Sequence, residues 1–334
     1  MKNRINIYCE SAFWTDYFND EQVALNDKNK RRSWDHFYDF LCKNNIFIDM
    51  AKSDIEEDTC GGKAIFDIMH ATGGAGIHFM PGNLPIIELL TNENDNNLNS
   101  IFLTSKSNDE CENLSKSFGV IVMNKDMVYS ASHLFKDCGQ AFRPRLLPNW
   151  EYLNEYSRSI PSINYCNSLI IVDRYLFSTR NDNNVFDKNI KPIFNALLPE
   201  RLDGDIEFNI IIVSNISDYG FYDGSDEIEQ IIEEIRPNLR FSLNVIDTRK
   251  LHDRVIITNN IMLSCGAGFD VIGNKGFPIK FTTTSLTFPF MIGQDNSQTA
   301  YLSWIHTVLE QCKQNSCTPA ETNHHLLNHY RKAR

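Results

Sequence analysis

Short, almost uninterrupted runs of β-branched and other apolar residues constrain the fold of this chain more than any other feature of its sequence. The clearest are Ser168–Leu176 (SLIIVDRYL) and Ile206–Val213 (IEFNIIIV). Strands that are apolar on both faces are typical of parallel sheets, which helices cover on both sides. The runs Ser100–Leu103 and Val120–Met123 flank the helical spacing of Asn108–Phe118, as in a βαβ unit. The sequence therefore predicts the α/β fold class, with two domains, each a mainly parallel or mixed sheet flanked by helices.

The domain boundary is predicted from length and from a break in the hydrophobic pattern. The 334 residues are too many for one typical domain and suit two. The segment 143–149 (RPRLLPN) interrupts the periodicity. We expect one domain over residues 1–146, a second over 147–293, and a C-terminal helix with a polar tail over 294–334. The tail histidines have a helical spacing that could bind metal, but a solvated tail is the favoured interpretation.

Composition disfavours several classes of protein. Acidic residues outnumber basic residues 43 to 32, and the formal charge of −11 opposes non-specific binding to nucleic acid through bulk charge. A local basic pocket is compatible with that charge. We expect no transmembrane segment, because no run approaches the roughly 20 apolar residues that cross a bilayer. The nine cysteines form no Cys-x-x-Cys pair, so we expect a reduced, cytoplasmic protein without a zinc ribbon.

Candidate phosphate chemistry lies in Leu251–Gly273. His252 is followed two residues later by Arg254, seven residues later by Asn259 and fourteen residues later by Gly266. This spacing resembles one copy of the phospholipase D superfamily motif, His-x-Lys-x4-Asp-x6-Gly-[Ser/Gly]-x-Asn. Arginine stands in place of the lysine, and asparagine in place of the aspartate.

The resemblance to phospholipase D implies a role for each of these residues. In that family the histidine attacks phosphorus, and the neighbouring cation neutralises the charge of the phosphate. His252, Arg254 and Asn259 are therefore the candidate catalytic residues. Arg254, Gly266 and Gly268 are the candidate phosphate-binding residues.

A closer resemblance covers about residues 150–293. Three features resemble the phospholipase-D-like C-terminal domain of MIT-domain proteins and its bacterial relatives. They are the His-Asp-Arg sequence before a hydrophobic strand, the later Gly-x-Gly-Phe-Asp, and Asp173 with Tyr175 in the earlier strand. This likeness implies recognition of phosphate or lipid without catalysis, and some bacterial relatives occur in defence-associated proteins. Three interpretations stay open for His252, Asp253 and Arg254: a structural network, phosphate binding without turnover, and hydrolysis.

The N-terminal half carries candidate metal ligands. IYCES and SIFLTSKSNDECENLSKSFGVIVMN are similar to the first and last strand–helix units of PIN-like ribonuclease domains. The resemblance implies carboxylates at the ends of parallel strands that hold Mg²⁺ or Mn²⁺, which activates water against a phosphodiester. The candidate ligands are Glu10, Asp16, Asp109 and Glu112. Asp109 also suits the start of a helix, where the helix dipole favours a negative charge.

Together these patterns predict a phosphodiester-directed effector. The leading hypothesis is a metal-dependent nuclease of a bacterial defence or toxin system, in which the N-terminal carboxylates bind metal and the His252–Arg254 pair engages phosphate. The alternative is a non-catalytic phospholipase-D-like module that recognises a phosphate-bearing ligand or a protein partner. The departures at Asn259 and at Phe269, which stands where the phospholipase D motif has its final asparagine, favour it. Expected partners are nucleic acid or another phosphate-bearing ligand, a protein of a defence complex, or a second copy in a homodimer.

Overall fold

Two sheets, each flanked by helices, form the part of the protein that the structure describes, which confirms the predicted α/β fold class. The structure is a computed structural model, and it describes residues 5–20, 26–56, 58–73, 76–82, 86–91, 97–131, 139–142, 165–178, 186–251, 254–265, 284–287, 296–315 and 324–332. No helix within these ranges is long and apolar enough to cross a membrane.

The first sheet has five parallel strands in the order β3-β2-β1-β4-β5. The strands are β1 (Asn6–Cys9), β2 (Asn45–Ile48), β3 (Ile77–Phe79), β4 (Ile101–Leu103) and β5 (Ile121–Met123). Alternate side chains point to opposite faces, so Ile7 and Leu103 join one apolar cluster while Tyr8 and Phe102 join another. Both faces of the sheet are therefore buried, which explains the unbroken apolar runs.

Helices cover both faces of this sheet. They are α1 (Ser11–Asn19), α2 (Lys28–Leu41), α3 (Cys60–Thr72), α4 (Ile86–Thr91), α5 (Asn108–Phe118) and α6 (Lys125–Ala131), with 3₁₀ turns at Lys52–Asp54 and Asn97–Asn99. The sequence pattern alone does not assign α1 as a helix, because its aromatic residues favour strands as individual residues. Phe13, Trp14, Tyr17 and Phe18 are nevertheless its buried stripe, at helical spacing.

The second sheet has seven strands in the order β6-β12-β11-β10-β7-β8-β9. The strands are β6 (Gly139–Phe142), β7 (Ser168–Val172), β8 (Phe208–Ser214), β9 (Phe241–Asp247), β10 (Val255–Thr258), β11 (Met262–Cys265) and β12 (Thr284–Thr287). Strands β7, β8 and β9 are parallel, whereas β10, β11, β12 and β6 pair antiparallel in turn. The second sheet is therefore mixed.

The helices of the second domain are α7 (Lys191–Leu197), α8 (Ser225–Ile235), α9 (Asn296–Gln314) and α10 (His325–Lys332), with one π-helical turn at Phe186–Ile190. Pro192 lies in the first turn of α7, where its missing N–H costs no helical hydrogen bond. The α-helix accordingly begins at Lys191.

The predicted boundary at residues 146 and 147 lies outside the described residues. Strand β6 precedes that boundary in the chain, yet it pairs with β12 in the second sheet. The second sheet therefore takes a strand from the N-terminal side of the predicted linker.

The C-terminal segment packs against the second sheet, and the expectation of a solvated tail is wrong for the described residues 324–332. Leu326 and Leu327 of α10 join Ile305 of α9 in the apolar cluster on one face of the sheet. His324 and His325 are buried, and their imidazoles contact the backbone carbonyls of Leu169, in β7, and Glu207, just before β8. The apolar residues beside the histidines thus bury this part of the tail, although its overall composition is polar.

A polar joint connects the two sheets. The carbonyl oxygen of Gly119, just after α5, accepts hydrogen bonds from the side-chain amides of Asn167 at 3.1 Å and Asn259 at 2.8 Å. One continuous apolar cluster also includes Ile7 of the first sheet and Leu169 of the second. The two sheets therefore share a core and a set of buried hydrogen bonds.

Candidate functional site

The chain leaves β1 and β4 toward opposite faces of the first sheet, and this creates a crevice at their carboxyl ends. Strand β1 leads through α1 to β2 on one side, and β4 leads through α5 to β5 on the other. In open α/β sheets, ligands bind at this point, where the strand order reverses. The order β3-β2-β1-β4-β5 places it between β1 and β4.

Three exposed aspartates line the crevice, which has a volume of about 470 Å³. Asp16 extends from α1, Asp109 from the first turn of α5, and Asp126 from the first turn of α6. We call this site the aspartate crevice. The sequence predicted Asp16 and Asp109 as neighbours and missed Asp126, although Asp126 lies only three residues beyond the end of β5.

Glu10 connects the ends of β1 and β4. Its Oε2 atom accepts hydrogen bonds from the Thr104 hydroxyl at 2.7 Å, the Ser105 amide at 2.9 Å and the Ser105 hydroxyl at 3.2 Å. Thr104 and Ser105 line the crevice, whereas Glu10 is not among the residues that line it. The structure therefore gives Glu10 a positioning contact with the crevice wall.

Asn124 fixes the opposite wall. Its amide nitrogen donates to the carbonyl oxygen of Lys106 at 3.0 Å and to Oδ1 of Asn108 at 2.6 Å. Its own Oδ1 accepts a hydrogen bond from the amide of Met127 at 3.0 Å, within the first turn of α6. Asn124 therefore holds the loop before α5 and the start of α6 in one arrangement around the crevice.

Glu112, the fourth candidate ligand, does not line the crevice. Its Oε1 lies 2.6 Å from the ammonium of Lys116 and accepts a hydrogen bond from the Tyr165 hydroxyl at 2.9 Å. These two partners, Lys116 first, lower the pKa of Glu112. One helical turn from Asp109, its side chain reaches the start of the second domain instead of the crevice.

The donors around the crevice suit a hard divalent cation. Carboxylate, hydroxyl and amide oxygens are the ligands that Mg²⁺ and Mn²⁺ prefer. In the described ranges, no group of three or more His, Cys, Asp or Glu side chains is close enough to hold a metal by itself. A Mg²⁺ site does not require such a cage, because the ion keeps several waters and commonly binds one or two carboxylates together with substrate phosphate. The two lysines that line the crevice pair with carboxylates outside its lining, Lys106 with Glu110 and Lys125 with Asp20.

The second candidate site lies where β7 ends and β10 begins. The antiparallel register pairs Val172 with Val255, so Asp173 and Arg254 are neighbours across the strands. Nε of Arg254 lies 3.8 Å from Oδ1 of Asp173, and its guanidinium lies 5.3 Å from the ring centre of Tyr175. The three residues come from the two segments that resemble the phospholipase-D-like domain. His252, Gly266 and Gly268 lie outside the described residues.

The structure does not bring Asn259, a candidate catalytic residue, to the same site as Arg254. The two residues flank opposite ends of β10, so their Cα atoms are about 16 Å apart at the rise of an extended strand. Asn259 is buried; its Oδ1 accepts a hydrogen bond from the amide of Asn167 at 3.0 Å, and its amide donates to Gly119. The motif spacing predicts that Asn259 shares a site with Arg254, but the four-residue strand β10 separates the two residues.

Comparisons with known proteins do not assign the chain to a family. No protein-family model matches the chain, and no curated protein matches it. Among solved structures, the chain is similar to TrmBL2, an archaeal chromatin protein whose structure shows a novel mode of DNA binding, with 9% identity and a TM-score of 0.25. The similarity covers 57% of this chain and 59% of that one. A likeness this low carries no argument about fold or function.

Proposed function

We propose that the protein is a metal-dependent phosphodiesterase that cleaves nucleic acid, with its reaction centre in the aspartate crevice. The observation that carries the proposal is that Asp16, Asp109 and Asp126 line one crevice at the switch point of a parallel sheet. The resemblance to PIN-like ribonucleases supports the same reaction class. Membership of a bacterial defence or toxin system rests on the resemblances alone.

Each residue of the crevice has a distinct task in this proposal. One or two of the three aspartates, together with waters and the substrate phosphate, would hold Mg²⁺ or Mn²⁺ through carboxylate oxygens. A bound divalent ion lowers the pKa of a coordinated water and neutralises developing charge on phosphate. Glu10 keeps the Thr104 hydroxyl and the Ser105 amide in place at the crevice wall. The ammonium of Lys106 offers a cation to the phosphodiester.

Cleavage of labelled single-stranded RNA and DNA by the full-length protein tests the proposal. We expect cleavage with Mn²⁺, none with EDTA, and at least about 100-fold slower cleavage by Asp109→Asn, since loss of even an outer partner of a metal ligand costs about 10–100-fold. Asp226→Asn is the matched control, because Asp226 also lies in the first turn of an 11-residue helix, α8. Equal cleavage rates for both variants would mean that Asp109 only stabilises the start of its helix, and would refute the proposal.

A second candidate function is recognition of phosphate without turnover at Arg254. It is favoured by the position of Arg254 at a strand end, beside Asp173 and over the ring of Tyr175. Inorganic phosphate or vanadate should then raise the melting temperature, and the shift should disappear in Arg254→Gln and His252→Ala. A wild-type protein that shows no shift would refute this second function.

A further inference from the structure

The carboxyl edge of the second sheet collects cationic and aromatic side chains. Strands β7, β8 and β9 are parallel and end there, and the antiparallel β10 begins there. The loops at this edge carry the residues that we call the arginine edge: Arg174, Tyr175, Tyr219, Arg249, Lys250 and Arg254. The first and last of these residues are 80 positions apart in the chain, so only the sheet brings them together.

The exposed aromatic side chains of the described residues are concentrated at this edge. Tyr175 is 38% exposed and Tyr219 is fully exposed, and they are the two large apolar side chains there with high exposure. Single exposed aromatic residues are ordinary on protein surfaces. Two on adjacent strand ends, among arginines, form a combination that can contact a ligand with both aromatic and anionic groups.

The loop that carries Tyr219 is anchored on both sides. The amide of Asn215 donates to the carbonyl of Arg174 at 3.2 Å, on the side of β7. On the side of β9, Asp247 accepts hydrogen bonds from the amide of Ile216 at 3.0 Å and the hydroxyl of Ser217 at 2.6 Å. Burial alone would raise the pKa of Asp247, but these hydrogen bonds outweigh it and hold the pKa below its ordinary value. Hydrogen bonds to both neighbouring strand ends therefore hold the start of the loop that carries Tyr219.

Two of the cations lie beside the ring of Tyr175, and a third contacts the loop residues that precede Tyr219. Nε of Arg249 lies 2.9 Å from Oδ1 of Asp218 in an ion pair, and its Nη2 donates to the hydroxyl of Ser217 at 3.1 Å; both partners precede Tyr219 in the loop. The guanidiniums of Arg174 and Arg254 lie 5.5 and 5.3 Å from the ring centre of Tyr175. Because these arginines already contact Tyr175, Tyr219 is the ring with an accessible face.

We infer that the arginine edge binds single-stranded nucleic acid, with an unpaired base stacked on Tyr219 and phosphates held by Arg249 and Arg254. The inference rests on the proposed function, whose substrate class it names. Aromatic rings and cations in alternation are the usual platform for single strands, and every base offers a face to stack. The bases of a duplex are stacked on one another, so a duplex cannot use Tyr219 in this way.

The charge of the protein limits how this surface binds. With a net charge of −11, the chain repels a polyanion at long range, and attraction must come from the four cations of the arginine edge. Each phosphate contact on a single strand lowers log K by about 0.7 per decade of salt. We therefore expect a salt slope between about −2 and −3.

Fluorescence anisotropy with labelled oligo-uridine and oligo-thymidine, in EDTA to prevent cleavage, tests the inference on the full-length protein. Tyr219→Ala should weaken binding by about 5-fold or more, whereas Tyr219→Phe should retain it, since alanine removes the stacking face and phenylalanine keeps it. Arg249→Gln should weaken binding and reduce the salt slope by about 0.7. Arg240→Gln is the matched control: Arg240 precedes β9 as Arg249 follows it, the two side chains are 63% and 64% exposed, and each pairs with an aspartate.

Two kinds of result would overturn the inference. One is equal affinity of the wild type and Tyr219→Ala for single strands; the other is binding of duplex DNA or anionic lipid vesicles in preference to single strands. Binding in EDTA without any Mn²⁺-dependent cleavage would refute the proposed function and leave the arginine edge standing. Mn²⁺-dependent cleavage, together with binding of single strands that is unchanged in the Tyr219 and Arg249 variants, would refute the arginine edge and leave the proposed function standing.

Discussion

The carboxyl edges of the two sheets occupy equivalent positions in their domains but carry opposite chemistry. The aspartate crevice presents three carboxylates beside two lysines, whereas the arginine edge presents three guanidiniums, a lysine and two tyrosines beside Asp173, Asp218 and Asp247. Parallel strands bring loop residues together at both edges, so topology determines where a site lies. The side chains determine what the site binds: as we propose, a cation at the first edge and, as we infer, a polyanion at the second.

The most severe test of this comparison sets a variant of a residue in the crevice against a variant of a residue outside it. Asp126→Asn should slow Mn²⁺-dependent cleavage at least about 10-fold, because it removes a charged ligand from the crevice. Glu112→Gln should cleave at the wild-type rate, because Glu112 contacts Lys116 and Tyr165. Single-turnover cleavage rates of both variants decide the matter. A slow Glu112→Gln with a fast Asp126→Asn would mean that the sequence motif, and not the crevice, identifies the ligands.

The amino-acid sequence predicts the sheets and part of each edge. Strand ends are readable from apolar runs, so the sequence alone is enough to expect Glu10 and Asp109 near one another. Asp126 is equally readable, because it follows the end of β5, but the PIN-like resemblance points to other acids. Tyr219 and Arg249 cannot be found in this way, because their adjacency depends on the pairing of β8 with β9. The motif spacing also carries no information about the four-residue strand β10, which separates Asn259 from Arg254.

The next largest effect concerns the joint that holds the two edges in one molecule. Gly119 has φ 63°, and a Cβ there would lie 2.5 Å from the backbone of Cys166. Gly119→Ala should lower the free energy of unfolding by about 3 kcal/mol, from backbone strain together with overpacking. Gly73→Ala is the control: it has the same φ with nothing within 4 Å, and it should cost only about 1 kcal/mol. Equal losses in urea denaturation would show that the contact with Cys166 is not part of the folded state.

Asn259→Asp tests whether the phospholipase D motif or the joint determines this residue. The carboxylate cannot donate to the carbonyl of Gly119 and would be buried beside it, so we expect a loss of about 2 kcal/mol of unfolding free energy. The variant should gain no phosphodiesterase activity from its closer match to the motif. A stable Asn259→Asp with higher activity would contradict the structural assignment.

Per pH unit, the smallest effect is a pH dependence of the stability of the second domain. Burial lowers the pKa of His324 to about 3 from its ordinary 6.5. Because the folded pKa lies below the unfolded pKa, the unfolded chain takes up the proton first, so stability present above pH 6.5 decreases as the pH falls toward 3. The decrease from this group is at most about 1.4 kcal/mol per pH unit. Urea denaturation at several pH values should show a shallower dependence in His324→Gln than in the wild type, and identical slopes would place His324 in contact with water.

Direct measurement of Mn²⁺ binding by electron paramagnetic resonance tests the central claim, that the carboxylates at the first edge form a cation site. We predict that the full-length wild-type protein and Asp226→Asn bind Mn²⁺ alike, and that the double variant Asp16→Asn/Asp109→Asn does not bind it at the same concentration. Unchanged Mn²⁺ binding by the double variant would contradict the claim.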